Sequence, residues 1–257
     1  MKTITLPVYK RADYLKRTLS ALKANRTEGY TLYVSVDPGS EEVAELVRSI
    51  DFIPTKVIWN QERLGLNGNI RSVLFAAMEA GSEFNVAIED DVTLTPDALD
   101  LAEWFRTLET HDQYTTLVFC NFEGKGDPRK IHPTRKFWSW GYCFARSGWE
   151  KAFVKGWDYV AEKCQAGVSD STWDTHMMRW IMIGMYATLL PDLSRSTHIG
   201  EMGGTHFRQH QGEQHFDRFF KSLKLSDGSV RDGFHVEGKI EDQSPEEFER
   251  RILGRWK

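Results

Sequence analysis

The sequence predicts an α/β fold with a mostly parallel central sheet flanked by helices. Two features of the first 110 residues carry the prediction: short apolar runs alternate with segments of helical periodicity, and acidic residues stand directly behind two of those runs, Asp37 behind one and Glu89-Asp90-Asp91 behind the other. In open α/β sheets the carboxyl ends of the strands are where ligands bind.

The elements follow in order. "TITLPVY" is the first strand, and "RADYLKRTLSALKAN" places Tyr14, Leu15, Leu19 and Leu22 at helical spacing. "YTLYVSVDPGS" is a second strand ending in the turn-forming Asp37-Pro38-Gly39. "EEVAELVRSI" is helical, "TKVIWN" a strand, and "GLNGNIRSVLFAAMEAG" a helix with Gly81 just past its end. "FNVAIEDD" is the next strand, and "TPDALDLAEWFRTLE" a helix whose start carries Thr95, Pro96 and Asp97, all suited to a helix N-terminus. Beyond residue 115 the rhythm changes. A strand "TTLVFCNF" leads to a polar loop, residues 123–136, then to "FWSWGYCFARSGWEKAF", the helix "TWDTHMMRWIMIG" and a strand "YATLLPDLSRSTHIG". The final stretch, "SPEEFERRILGRWK", is read as a surface helix.

Composition narrows the function classes. A net charge of -4 over 257 residues gives no general basic surface of the kind that binds nucleic acid. No window reaches the roughly 18 apolar residues of a membrane span, and the N-terminus carries no secretory pattern. The three cysteines, Cys120, Cys143 and Cys164, are odd in number and widely spaced, which suits a reducing compartment better than a disulfide framework or a zinc cluster. The expectation is a soluble cytoplasmic protein.

Three adjacent carboxylates behind a buried strand repel one another unless something positive neutralises them. Two readings are open: a solvated acidic turn that caps the next helix, or a site for Mn²⁺ or Mg²⁺, which are held by one or two carboxylates together with substrate phosphates. Asp37, brought by the fold to the same sheet edge, favours the second. Trp140 and Gly141 suit a sugar-binding wall, since indole faces stack on sugar C–H surfaces and glycine permits close approach. His206 follows Gly203-Gly204, where the backbone can come close to a phosphate. His198, at the end of a predicted strand, is left open between a metal or phosphate ligand and a locally bonded side chain.

The ordered set "LPVYKRADYLKRTLSAL", "VSVDPGSEE", "VAIEDDVTLTPDAL", "FWSWGYCFARSGW", "WDTHMMRW" and "PDLSRSTHIG" followed by "GTHF" resembles the GT-A glycosyltransferases of the N-acetylglucosaminyltransferase I type, over nearly all of the chain to about Leu225. The resemblance implies a Rossmann-like GT-A domain over residues 1–225. Residues 1–115 would be its nucleotide-sugar half, residues 116–225 a smaller acceptor half, and residues 226–257 a C-terminal tail. It implies a metal-dependent transferase that moves a sugar from a UDP-sugar to an acceptor hydroxyl with inversion. Asp91 would be the direct Mn²⁺ (or Mg²⁺) ligand, with Asp90 and Glu89 on ribose or sugar, Asp37 on uracil and Arg11 beside the nucleotide. Arg71 and Thr205 would be substrate-binding residues, Thr205 replacing a family serine that reaches the diphosphate. Asp174 matches the catalytic base in the family's Trp-Asp-Asp-Trp-Met-Arg stretch. The next two positions differ, being Thr175 and His176 here, which points to a different acceptor side. Family members carry a membrane anchor before the first strand, so a bacterial or viral relative is expected. The acceptor is open among a glycan, a lipid-linked sugar, a protein side chain and a modified nucleic-acid base. The competing classes are a nucleotidyltransferase, disfavoured because "PVYKRADYL" lacks the glycine-rich loop, and a non-catalytic nucleotide- or sugar-binding module.

Overall fold

Strand β1 (Lys2–Val8) is buried from Thr3 to Val8, on both faces, as a central strand covered by helices must be. The computed structural model describes residues 1–124, 126–165, 172–200 and 223–240. After β1 come α1 (Ala12–Lys23), β2 (Tyr30–Val36), α2 (Glu41–Arg48), β3 (Thr55–Trp59), α3 (Gly65–Glu79) and β4 (Phe84–Ala87). Strands β3, β2, β1 and β4 lie side by side and parallel. Their carboxyl ends therefore share one edge, which collects Arg11, Asp37 and the triplet at residues 89–91.

The second half reverses direction. It contains β5 (Val92–Leu94), α4 (Ala98–Thr107), β6 (Thr116–Val118), β7 (Lys130–Thr134) and β8 (Tyr142–Ala145). A helical run follows, made of α5 (Arg146–Gly148), a π-helical turn (Trp149–Phe153) and α6 (Val154–Gln165). Then come α7 (Trp173–Ile183), β9 (Thr188–Pro191), β10 (Ser196–His198) and β11 (His235–Val236). Strand β8 pairs antiparallel with both β4 and β6, and the nine-stranded sheet has the order β11-β7-β9-β6-β8-β4-β1-β2-β3. Because β8 runs backwards, the loop that enters it, residues 137–141, arrives at the edge where β4 ends.

Alternation along the strands separates two apolar layers. Cys143 joins the layer of Ile4, Leu15, Val86, Leu99 and Phe105, while its neighbours Tyr142 and Phe144 join Leu74, Trp157, Trp173 and Met177. Phe144 and Trp149 are buried in the second of these layers.

Four sequence expectations are corrected. The second half of the supposed polar loop is β7, whose Ile131 and Pro133 face inward while Lys130, His132 and Thr134 stay half-exposed. This alternation was hidden by a proline and flanking charges. The supposed single strand over residues 186–200 is two, with β9 in the large sheet and β10 paired antiparallel with β5. That second pairing also places a strand between the triplet and α4. Asp97 does not cap α4 through its side chain. Its carboxylate is instead turned to Arg195 Nε at 2.9 Å, because a buried guanidinium outcompetes backbone amides for it.

Residues 223–240 are knitted into this body. Ser226 Oγ donates to Asp97 Oδ2 at 2.6 Å, Val230 and Phe234 are buried, and β11 pairs with β7. The terminal helix expected over residues 244–257 lies outside the described residues.

Candidate active site

After β4 the chain turns sharply. The Ile88 amide still donates to Thr5 O, Val92 N–H closes a turn on Glu89 O, and Thr18 Oγ1 of α1 donates to Asp90 O at 2.9 Å. On the far side Ile199 N–H donates to Asp91 O at 2.7 Å, and Val92 lies opposite His198 in the β5–β10 ribbon. Sheet, helix and ribbon thus hold the triplet from three directions.

The positive partner demanded by the sequence is Arg11, at the residue before α1. Its guanidinium bonds both Asp90 Oδ1 and Asp91 Oδ2. Asp90 and Asp91 are 4% and 3% exposed, so these charges are taken almost wholly from water. His198 Nε2 lies 3.1 Å from Asp91 Oδ2, and its ring stacks on Trp140 at 4.9 Å between centroids. Asp91 Oδ2 therefore has two partners. Asp91 Oδ1 is buried and has none among the described residues.

Glu89 lines a small cavity with Thr5, Ile70, Ser139, Tyr142 and Trp173. The Tyr142 hydroxyl is buried and unpartnered among the described residues. Asp174 sits in the first turn of α7. Its Oδ1 accepts from the Thr175 amide at 2.9 Å and from the Thr172 hydroxyl, while Oδ2 faces Ser139 Oγ at 3.5 Å. One oxygen thus satisfies donors of the first turn of α7. The other is directed at the loop beside Trp140.

Burial raises Glu89 well above the usual carboxylate range, with Asp91, Asp174 and Asp90 adding to the effect. That mutual influence brings Asp174 into the electrostatic neighbourhood of the triplet. For Asp91, burial alone would raise the carboxyl, but His198 and Arg11 outweigh it and hold the group below its usual value. Burial pushes Asp90 up to about 6, against Arg11 and with help from Asp91. A group raised on folding favours the folded state while protonated. Its contribution is complete below the ordinary value of 3.8 and is lost as pH climbs through about 6. In metal-free protein Asp90→Asn is therefore expected to flatten the stability profile. Urea melts should find the variant more stable than the parent at pH 8, by up to about 3 kcal/mol, with the advantage gone near pH 4. Parallel profiles for the two proteins would contradict this electrostatic picture.

The remaining expected site residues divide. Asp37 is buried, with Oδ1 accepting from Asn60 Nδ2 and the Leu64 amide and Oδ2 from the Gly65 amide. It ties β2 to the start of α3. Arg71 is exposed and lays its guanidinium 4.1 Å from the Phe75 ring centroid, with no contact to the triplet among the described residues. Gly141 has φ +85, and a Cβ there would stand 3.1 Å from Phe119 Cδ2 and 3.4 Å from Ser196. Its close approach is to the protein's own Phe119 and Ser196. Thr205 and His206 lie outside the described residues. Sequence reading missed Ser139, Thr18 and Tyr142, for which spacing offers no signal, since they reach the site through β8 reversal and helix packing.

Could these residues hold a divalent ion? Among the described residues no three His, Cys, Asp or Glu side chains form a ready-made metal cluster. The fit rests on Asp91 Oδ1, a hard, buried, unpartnered oxygen, and a Mn²⁺ or Mg²⁺ ion takes its remaining ligands from water and substrate phosphate.

The parallel strands around β1, with antiparallel β8 beside the acidic turn, form an α/β architecture of the GT-A type. Residues 3–158 match the profile of glycosyl transferase family 2, and the chain belongs to that family. Its fold is shared with S. aureus TarS. TarS 1-349 aligns over 86% of this chain and 70% of its own, with TM-score 0.51 and 12% identity. TarS 1-349 in complex with UDP-GlcNAc gives TM-score 0.55 and 13% identity over 86% of this chain and 64% of that one. The chain spans only 42% of a longer TarS crystal structure, which it matches at TM-score 0.51 and 12% identity over 85% of its own length. At these identities the likeness is one of fold. No curated protein sequence matches. Among the described residues no helix is long and apolar enough to cross a membrane.

Proposed function

We propose that this protein is an inverting, Mn²⁺-dependent glycosyltransferase that takes its sugar from a uridine diphosphate donor. The observation that carries the proposal is the unpartnered, buried Asp91 Oδ1 beside two further carboxylates at the ligand-binding edge of the sheet. Family membership and the UDP-GlcNAc bound by the TarS fold relative support the donor class. N-acetylglucosamine is the donor sugar favoured by the N-acetylglucosaminyltransferase I resemblance.

In this reading Asp91 holds the ion through Oδ1, while Arg11 keeps Oδ2 and Asp90 in register. When bound, the ion stabilises the negative charge that grows on the departing diphosphate. Asp37 faces the nucleobase, and with three of its four lone-pair positions occupied it has one left on Oδ2 for an imide N–H. Glu89 and Trp140 flank the sugar. Asp174 Oδ2 takes the proton from the acceptor hydroxyl as its oxygen bonds the anomeric carbon and the bond to the diphosphate breaks. Attack opposite the leaving group inverts the anomeric centre. The acceptor remains one of the hydroxyl-bearing classes named above.

Calorimetric titration of UDP with and without Mn²⁺ tests the reading. The wild type is expected to bind UDP at least tenfold more tightly with Mn²⁺, and Asp91→Ala to lose that gain. Equal binding in all conditions would overturn it.

A further inference from the structure

The half-exposed rings beside Asp174 form a row of which the proposed chemistry uses one end. In the loop entering β8, Phe137 and Ser139 turn inward and are buried, while Trp138 and Trp140 turn outward and stay half-exposed. Phe122 stands between the two indoles, with its ring centroid 5.3 Å from Trp138 and 5.1 Å from Trp140, edge-on to both at 89° and 81°. The Trp140 end lies nearer the acidic turn, since its other neighbour, His198, touches Asp91. From the residue between the indoles, Ser139 Oγ faces Asp174 Oδ2 at 3.5 Å. The row therefore runs from the donor side past the proposed base and ends on Trp138.

Phe122 rides on a loop with little freedom. The Asn121 amide donates to Ser194 Oγ and Asn121 Nδ2 to Pro191 O, both at 2.8 Å. Asp192, the residue after β9, accepts on Oδ2 from the amides of Gly126 and Asp127, both at 2.7 Å. A Cβ on Gly124 would lie 1.7 Å from Asp192 O, so the two backbones pass in contact there. Rings held in this way lose little freedom when a ligand lies on them.

The chemistry of the row selects its ligand. Indoles rimmed by polar groups suit a molecule with one apolar face and many hydroxyls, and a pyranose is such a molecule. Its C–H face would lie on an indole while a hydroxyl at its rim reaches Asp174. A lipid chain needs a continuous apolar surface, which the edge-on Phe122 and the polar Asn121, Ser139 and Asp174 interrupt. A seryl or threonyl side chain has no face to lay on the row. A nucleic acid would bring phosphates, and the two lysines on this flank are already paired with acids, Lys136 with Glu123 at 2.5 Å and Lys130 with Glu237.

We propose that Phe122, Trp138 and Trp140 form the acceptor subsite and that its occupant is a pyranose residue of a glycan, with its C–H face on Trp138 and one hydroxyl toward Asp174 Oδ2. The proposal rests on the transfer reaction proposed above and selects one of the acceptor classes left open there.

The test uses the whole chain with UDP and Mn²⁺, read by saturation-transfer NMR. The probes are the methyl pyranosides of glucose, galactose, mannose and N-acetylglucosamine, with their octyl counterparts, a seryl tripeptide and thymidine for contrast. At least one methyl pyranoside is expected to bind, with saturation strongest on the C–H protons of one ring face. Trp138→Ala should weaken that binding at least about tenfold, the scale of truncating an aromatic anchor at a binding surface. Trp138→Phe should restore most of the loss, and Phe122→Leu should weaken binding less than Trp138→Ala does. Pyranoside binding that Trp138→Ala leaves unchanged would overturn the proposal, as would saturation of the tripeptide or thymidine in place of every pyranoside. Octyl chains saturated more strongly than the sugar rings would assign the row to a lipid and overturn it too. Absence of pyranoside binding in a wild type that binds UDP would overturn it and leave the donor reading intact, whereas a wild type that binds no UDP with Mn²⁺ would remove both. Circular dichroism melts identify any variant unfolded at the measuring temperature, and if Trp138→Ala is one, Trp138→Phe and Phe122→Leu carry the comparison.

Discussion

Asp174→Asn should reduce the slow release of UDP from a UDP-sugar by about 10²–10⁴-fold while leaving UDP affinity within about twofold. The substitution is chosen because the asparagine side-chain oxygen can still accept from the Thr172 hydroxyl and the Thr175 amide, so the first turn of α7 keeps its capping bonds. What it lacks is a basic oxygen on the side facing Ser139. Turnover is measured against a panel of UDP-sugars with water as acceptor, and affinity by calorimetry. A variant that keeps full turnover would return Asp174 to a capping role. One that loses affinity in equal measure would make it part of the donor pocket.

The second large effect is on stability. Arg195 is fully buried, as is its partner Asp97. The guanidinium also bonds the carbonyls of Leu193 and Pro128, and it lies 5.6 Å from the Phe234 ring centroid. Four stretches of chain therefore meet on one side chain: the approach to α4, the loop before β7, the β9–β10 connection and the segment before β11. Arg195→Met should cost about 3–5 kcal/mol, because Asp97 is left as a buried anion with only the hydroxyls of Thr95 and Ser226 as donors. Urea melts would read this as a lower midpoint at unchanged slope. Arg195→Met with Asp97→Leu should recover part of the loss, since the unpaired charge is then gone. A double variant no better than the single would assign the loss to packing around Phe234.

Much of the nucleotide half was legible because there local pattern and global fold agree. Helical spacing at Leu15, Leu19 and Leu22, and apolar runs ending at Val36 and Ala87, each point to one element, and parallel topology then brings Asp37 and the triplet to one edge. The second half is harder to read because its strands are two to five residues long and its determinants are tertiary. Pro133 inside β7, and Asp97 committed to a guanidinium almost a hundred residues away, break the local rules for strand and cap. Arg11 was legible as a residue near the nucleotide but not as the cation that bridges Asp90 and Asp91. Arg71 was expected as a substrate-binding residue, and its position on Phe75 gives no support to a role at the triplet.

The antiparallel setting of β8 also orders the birth of the molecule. By Ala87 the growing chain contains all of β1, β2, β3 and β4, a four-stranded parallel sheet whose pairings need nothing further along. The other flank waits: β8 begins only at Tyr142, and β9, which closes the far side of β6, at Thr188. During synthesis the acidic turn thus emerges at the open margin of a nascent unit, with Arg11 already present to shield it. His198 is translated more than a hundred residues later, so the acidic turn can meet its β10 neighbour only after most of the second half has been made.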